Sequence, residues 1–169
     1  MITLAELNHC TPEQFVAAIG FTFEHSPWVA EGATKARPFA SVDALHAHML
    51  EVVAAAPDDE RIALIEAHPD LAGRVAREGR LTGASRGEQA SAGLDQLTSE
   101  ETARFDRLNS AYRDRFGFPF VICAREHDKS SILSELERRT KNERETEIAT
   151  ALAEIGKIAH LRLAGMVAP

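Results

Sequence analysis

Residues 98–117 read TSEETARFDRLNSAYRDRFG. Thr98 with Glu101 three residues on is the reciprocal N-cap pattern, in which a hydroxyl and a carboxylate satisfy each other's backbone N–H groups. Phe105, Leu108, Tyr112 and Phe116 then recur at intervals of three and four, so they form one apolar stripe. Gly117 follows where a helix can close in the left-handed conformation. Start, stripe and stop in one stretch predict a long amphipathic helix, and an all-α fold if its neighbours read alike.

They do. Thr11-Pro12-Glu13 and Ser26-Pro27-Trp28 each put a capping hydroxyl before a proline at the first helical position. Ser41 precedes an alanine-rich helix that runs to Pro57, with Leu45, Met49, Val52, Val53 and Ala56 at helical spacing. A short helix is predicted from about Asp58 to Ala67; Pro69 ends it and can open the next. Ser130 or Ser131 is expected to cap a helix bearing Ile132, Leu133 and Leu136. Asn142 with Glu145 is expected to start the last helix, which carries Ile148, Leu152, Ile155, Ala159 and Leu163 and finds its end near Gly165. Strand signals are weak. Phe118-Pro119-Phe120-Val121-Ile122 is the best of them, and its proline and isolation favour an extended apolar segment instead. Residues 1–169 therefore read as one compact multi-helix domain of all-α class.

Composition narrows the function. At 18.5 kDa, with 44% hydrophobic residues, the chain can build one sizeable core. A net charge of −7 argues against nucleic-acid binding, which needs a basic face. Cys10 and Cys123 form no CxxC pattern, so neither a disulfide framework nor a cysteine metal site is expected. No apolar run approaches membrane-spanning length. The N-terminus lacks signal-peptide regions, and Met166-Val167-Ala168-Pro169 is not a peroxisomal ending, so a cytoplasmic protein is expected.

Chemistry is expected at the breaks between helices. His68 precedes Pro69, which biases it toward extended backbone at a helix joint. Its imidazole is the natural proton carrier at neutral pH. Glycines at 79, 83, 87 and 93 bracket Ser85, Glu88 and Gln89. With Ser85 as cap, Glu88 and Gln89 fall in the first turn of a short helix. That is either helix-start electrostatics or a carboxylate–amide pair facing a ligand rich in N–H and C=O groups. On the last helix Ile148, Ala151, Ile155 and Ile158 follow an inward face that Arg162 continues. An arginine there needs an anionic or carbonyl partner, or it snorkels out at the helix end. His46 and His48, two residues apart, point to different faces and make a poor metal pair. No Gly-x-Ser-x-Gly or phosphate loop is present.

The chain resembles the OHCU (2-oxo-4-hydroxy-4-carboxy-5-ureidoimidazoline) decarboxylase family of urate degradation. The resemblance is carried by His25-Ser26-Pro27-Trp28-Val29-Ala30, Arg37-Pro38-Phe39, His68-Pro69-Asp70-Leu71, Ser85-x-x-Glu88-Gln89, Leu108-Asn109-x-Ala111-Tyr112 and Phe116-Gly117-Phe118-Pro119-Phe120-Val121-Ile122-Cys123. It implies an all-α homodimer with no metal and no organic cofactor. It implies catalysis by His68 and Glu88, and a substrate pocket built from Pro69, Ser85, Gln89, the region of Phe118, Phe120, Val121 and Ile122, and Arg162. The implied reaction is decarboxylation of the ureidoimidazoline to (S)-allantoin, with urate oxidase and hydroxyisourate hydrolase as functional neighbours. The competing readings are a non-catalytic helical interaction domain, or a lyase or hydrolase acting on a related ureido compound.

Overall fold

The helix expected from Thr98 is present as Ser99–Phe116. Thr98 and Glu101 form a complete capping box, and Gly117 closes the helix at φ 84°. The structure, a computed structural model, describes the backbone of residues 1–169 and every side chain except that of Val75. The fold is all-α: among the described residues the strands are two short pieces, β1 (Ile2–Thr3) and β2 (Val167–Ala168), paired in parallel with Ile2 opposite Val167 and Thr3 opposite Ala168. The chain forms two compact units, Met1–Ala67 with Gly156–Pro169, and His68–Ile155.

In the first unit α1 (Leu4–His9), α2 (Pro12–Ile19), α3 (Trp28–Ala33), α4 (Val42–Ala55) and α5 (Asp58–Glu66) follow β1. Thr11 and Ser41 cap α2 and α4 as their positions predict. Ser26 does not cap α3. Its hydroxyl donates to the Glu24 carbonyl, and Pro27 itself occupies the capping position without a side-chain bond. Phe15, Ile19, Val29, Leu45, Met49 and Ile65 are sealed from solvent. Helices α3 and α4 approach closely at Gly32, where an added Cβ would stand 2.7 Å from a Val52 methyl.

In the second unit α6 (Arg74–Arg77) and α7 (Gly83–Ser91) precede α8 (Ser99–Phe116), and α9 (Lys129–Arg139) leads to α10 (Arg144–Met166), whose residues are divided between the units. The buried rings of Tyr112, Phe116, Phe118 and Phe120 form its aromatic core, with Tyr112 edge-on to Phe120 at 5.4 Å. Several helix starts differ from expectation. Asp128, not Ser130 or Ser131, caps α9, and Ser131 serves as its partner in the box. A carboxylate both accepts the hydrogen bond and answers the helix dipole, so it outcompetes a hydroxyl. Asn142 donates its amide to Glu147 rather than forming a box with Glu145. Pro69 opens no helix: the next one, α6, starts only at Arg74.

Two measurements check these contacts. Thr98→Ala removes one half of the α8 capping box and is expected to cost about 0.5–2 kcal/mol in urea unfolding. His46, half-buried, has Nε2 2.9 Å from the Gly156 carbonyl and its ring 4.9 Å from that of His160. Burial lowers its pKa from the ordinary 6.5, against the pull of the Gly156 carbonyl. The folded state then binds this proton more weakly than the unfolded chain, so stability is complete above the unfolded pKa and declines as pH falls below it. The midpoint of thermal unfolding should drop as pH is lowered through the ordinary histidine range, with a shallower drop in His46→Gln.

Candidate active site

Ser85, Glu88 and Gln89 lie on one face of α7. Ser85 and Gln89 are buried and Glu88 is half-buried. Ser85 is not the cap. Thr82 takes that role and receives the Ser85 N–H at 3.2 Å. The helix therefore begins three residues earlier than predicted, and Glu88 and Gln89 sit beyond its first turn. Helix-start electrostatics no longer accounts for Glu88. The earlier start also explains the burial, because residues at i, i+3 and i+4 share a face.

His68 is 6% exposed and Pro69 half-buried at the head of the connection to α6. The connection is held by side chains. The Ala72 N–H donates to Gln89 Oε1 at 2.9 Å, and the Ala72 carbonyl accepts from Arg77 at 2.7 Å. Asn109 donates to the Leu71 carbonyl at 2.9 Å, and Arg113 pairs with Asp70 at 2.8 Å. These bonds clamp Ala72 at φ 53°, a left-handed conformation that costs a residue with a Cβ roughly 1–2 kcal/mol. Gln89 thus has a part that its residue type alone did not disclose: its carbonyl oxygen ties α7 to the histidine-bearing connection. Beside it Ala72, Arg77, Leu81, Arg86 and Leu94 line a cavity of about 360 Å³.

Phe118, Phe120, Val121 and Ile122 lie outside any helix or strand, on a segment that bends at Phe118, and all four are buried. The segment turns at Ala124–Glu126, which packs against α7. Having no neighbouring strand, it is secured by side chains. Arg139 donates to the Val121 carbonyl at 2.8 Å, lies over the Phe120 ring, and is 1% exposed. Glu147, fully buried, accepts from Arg139 at 2.5 Å, from Asn142 at 2.8 Å, and from the Tyr112 hydroxyl. Burial, with Glu147 second, holds the Tyr112 hydroxyl well above its ordinary pKa, so it remains a donor. Glu154 accepts from the Cys123 N–H at 2.8 Å. Sequence reasoning passed over Arg139 and Glu147; the signal was present as a cation and an anion on helices that otherwise bury apolar faces.

Arg162 belongs to the first unit. It does not snorkel: it is 7% exposed, with Nη1 2.8 Å from Glu24 Oε2 and 3.2 Å from the Thr22 carbonyl. Glu24 was also missed, although it directly precedes the His25-Ser26-Pro27-Trp28 motif. Among the described residues no three His, Cys, Asp or Glu side chains converge as a metal site, and no helix is long and apolar enough to cross a membrane.

The scaffold is all-helical, and it carries a buried histidine at the head of a side-chain-clamped connection, with a serine, a carboxylate and an amide on one face of α7. The OHCU decarboxylase family model matches residues 8–164, and the chain belongs to that family. It is 45% identical over 163 residues to 2-oxo-4-hydroxy-4-carboxy-5-ureidoimidazoline decarboxylase of Haloferax volcanii, covering 96% of this chain and 95% of the relative. It is 40% identical to the uric acid degradation bifunctional protein of Bacillus sp. (strain TB-90), covering 96% of this chain and 32% of that protein. The crystal structure of an (S)-allantoin synthase superposes with a TM-score of 0.80 at 29% identity, covering 99% of this chain and 54% of that one.

Glu147→Ala would leave Arg139 buried without its carboxylate. The expected loss is about 3–5 kcal/mol in urea unfolding, the usual consequence of an uncompensated internal charge.

Proposed function

We propose that this chain decarboxylates 2-oxo-4-hydroxy-4-carboxy-5-ureidoimidazoline to (S)-allantoin, as a carboxy-lyase without metal or organic cofactor. The observation that carries the reading is the clamped His68–Gly73 connection with Ser85, Glu88 and Gln89 on α7, in a chain whose Haloferax volcanii relative is named for this reaction.

The substrate explains how such residues suffice. Its hydroxyl and carboxylate share one ring carbon, and a C=N bond lies on the next. When the bond to carbon dioxide breaks, its electron pair moves into a new carbon–carbon double bond, and the C=N pair passes to nitrogen, which takes up a proton. The hydroxyl then loses its proton to become the carbonyl of allantoin, and the ureido-bearing carbon gains one on a single face.

His68 exchanges a proton with the hydroxyl and helps to deliver one to carbon; Glu88 orients the imidazole or the ureido group. Such acid–base help is worth about 10²–10⁴-fold. Ser85, Gln89, Pro69 and the backbone and side chains around Phe118, Phe120, Val121 and Ile122 read the ring and ureido group. Arg162 binds an electronegative edge of the substrate. The name of the bifunctional Bacillus relative supports neighbours within urate breakdown, urate oxidase and hydroxyisourate hydrolase. The same reading carries a homodimer, which rests on resemblance to the family, and a cytoplasmic location.

The test follows circular dichroism while urate oxidase and hydroxyisourate hydrolase generate the intermediate in place. Wild-type protein should yield an optically active (S)-allantoin signal well ahead of the no-enzyme control. His68→Ala, with its far-ultraviolet spectrum unchanged, should lose roughly 10² or more of the rate. Near-wild-type turnover in that variant would remove His68 from the mechanism.

A further inference from the structure

The ion pair between Arg162 and Glu24 does work that packing cannot explain. Burying two charges costs several kcal/mol per ion, and an apolar pair of similar volume often serves stability as well or better. Yet Arg162 is 7% exposed and Glu24 4%. The carboxylate is also held in place. It comes from the turn between α2 and α3, where the Ser26 hydroxyl donates to the Glu24 carbonyl at 3.0 Å and the Ser26 N–H to the Phe23 carbonyl at 3.1 Å. His25, at φ 47°, turns the chain directly after it, with its exposed imidazole 4.0 Å from the second Glu24 oxygen. The Thr22 carbonyl gives the guanidinium a second anchor, 3.2 Å from Nη1.

Two consequences follow. The guanidinium is anchored at Nη1 by two acceptors, and its formal charge is cancelled by the carboxylate, 2.8 Å away. A guanidinium so paired presents little net positive charge to a ligand. That suits a neutral carbonyl edge more than a carboxylate. A decarboxylase gains from the distinction, since gripping the departing carboxylate stabilises the ground state that must lose its charge.

Resting on the functional reading above, we propose that Glu24 is a positioning residue that holds Arg162 and makes it select a neutral carbonyl edge over a carboxylate. The test is calorimetric titration of neutral allantoin and of the anionic ureido acid allantoate, which needs no turnover. Glu24→Gln keeps size and an acceptor but removes the cancelling charge. Its affinity for allantoate relative to allantoin should rise by about tenfold or more, the scale of a hydrogen bond to an uncompensated charge. With the intermediate generated in place, its kcat should fall while KM does not rise. Glu24→Asp keeps the charge, and should leave the allantoate-to-allantoin ratio near the wild-type value even where both affinities weaken.

An unchanged ratio in Glu24→Gln would overturn the proposal. Should that variant not fold, a ratio shifted toward allantoate in Glu24→Asp would overturn it, and an unshifted ratio with weakened binding of both ligands would support it. Wild-type protein that binds both compounds but leaves the intermediate untouched would sink the functional reading instead.

Discussion

The buried contact between Arg139 and Glu147 is the constraint on which the second unit depends. Residues 118–123 lie outside any helix or strand, so their backbone groups cannot be satisfied by a ladder. Water cannot serve them either, because the segment is buried. A guanidinium, with several donors in a rigid fork, can hold a carbonyl and stack on a ring at once. Arg139 does both, at Val121 and Phe120. Its charge then requires an equally buried anion, and Glu147 in turn requires the donors that Tyr112 and Asn142 bring. One irregular segment thereby dictates polar residues on α8, α9 and α10.

The same solution recurs at the connection that carries His68. Asp106, Asn109 and Arg113 share one face of α8, and they hold Arg77, the Leu71 carbonyl and Asp70 respectively. Phe105, Tyr112 and Phe116 run along the strip beside them, which Asn109 borders, and enter the core. Helix α8 thus sends an apolar strip into the aromatic cluster and the neighbouring polar strip to the connection. Regular helices supply rigidity, and side chains reaching out from them fix the irregular pieces where chemistry needs backbone and side chains together.

Much of the fold was legible because helices announce themselves locally. Thr11, Ser41 and Thr98 cap where their spacing indicated, and Gly117 closes α8 as expected. Errors arose where several polar side chains competed for one role. Thr82 and Ser85 stand three apart, and the Thr82 hydroxyl takes the Ser85 N–H and becomes the cap. The positions of His68, Ser85, Gln89 and Arg162 could be suspected from residue type and periodicity. Their partners could not: Gln89 with Ala72, or Arg162 with Glu24, are contacts between distant residues that no local pattern encodes. The β1–β2 pair was equally hidden, since two residues at each end of the chain carry no periodicity.

That small pair has a mechanical meaning. β1 enters the fold at its first residues, β2 leaves it at its last, and the two run in the same direction. Tension applied between the two ends therefore pulls the strands along their length in opposite senses. Their hydrogen bonds are loaded together, as in a lap joint, and do not peel one after another like a zipper. The short ladder acts as a clasp, and the helices of the first unit stay shielded from the load until it slips.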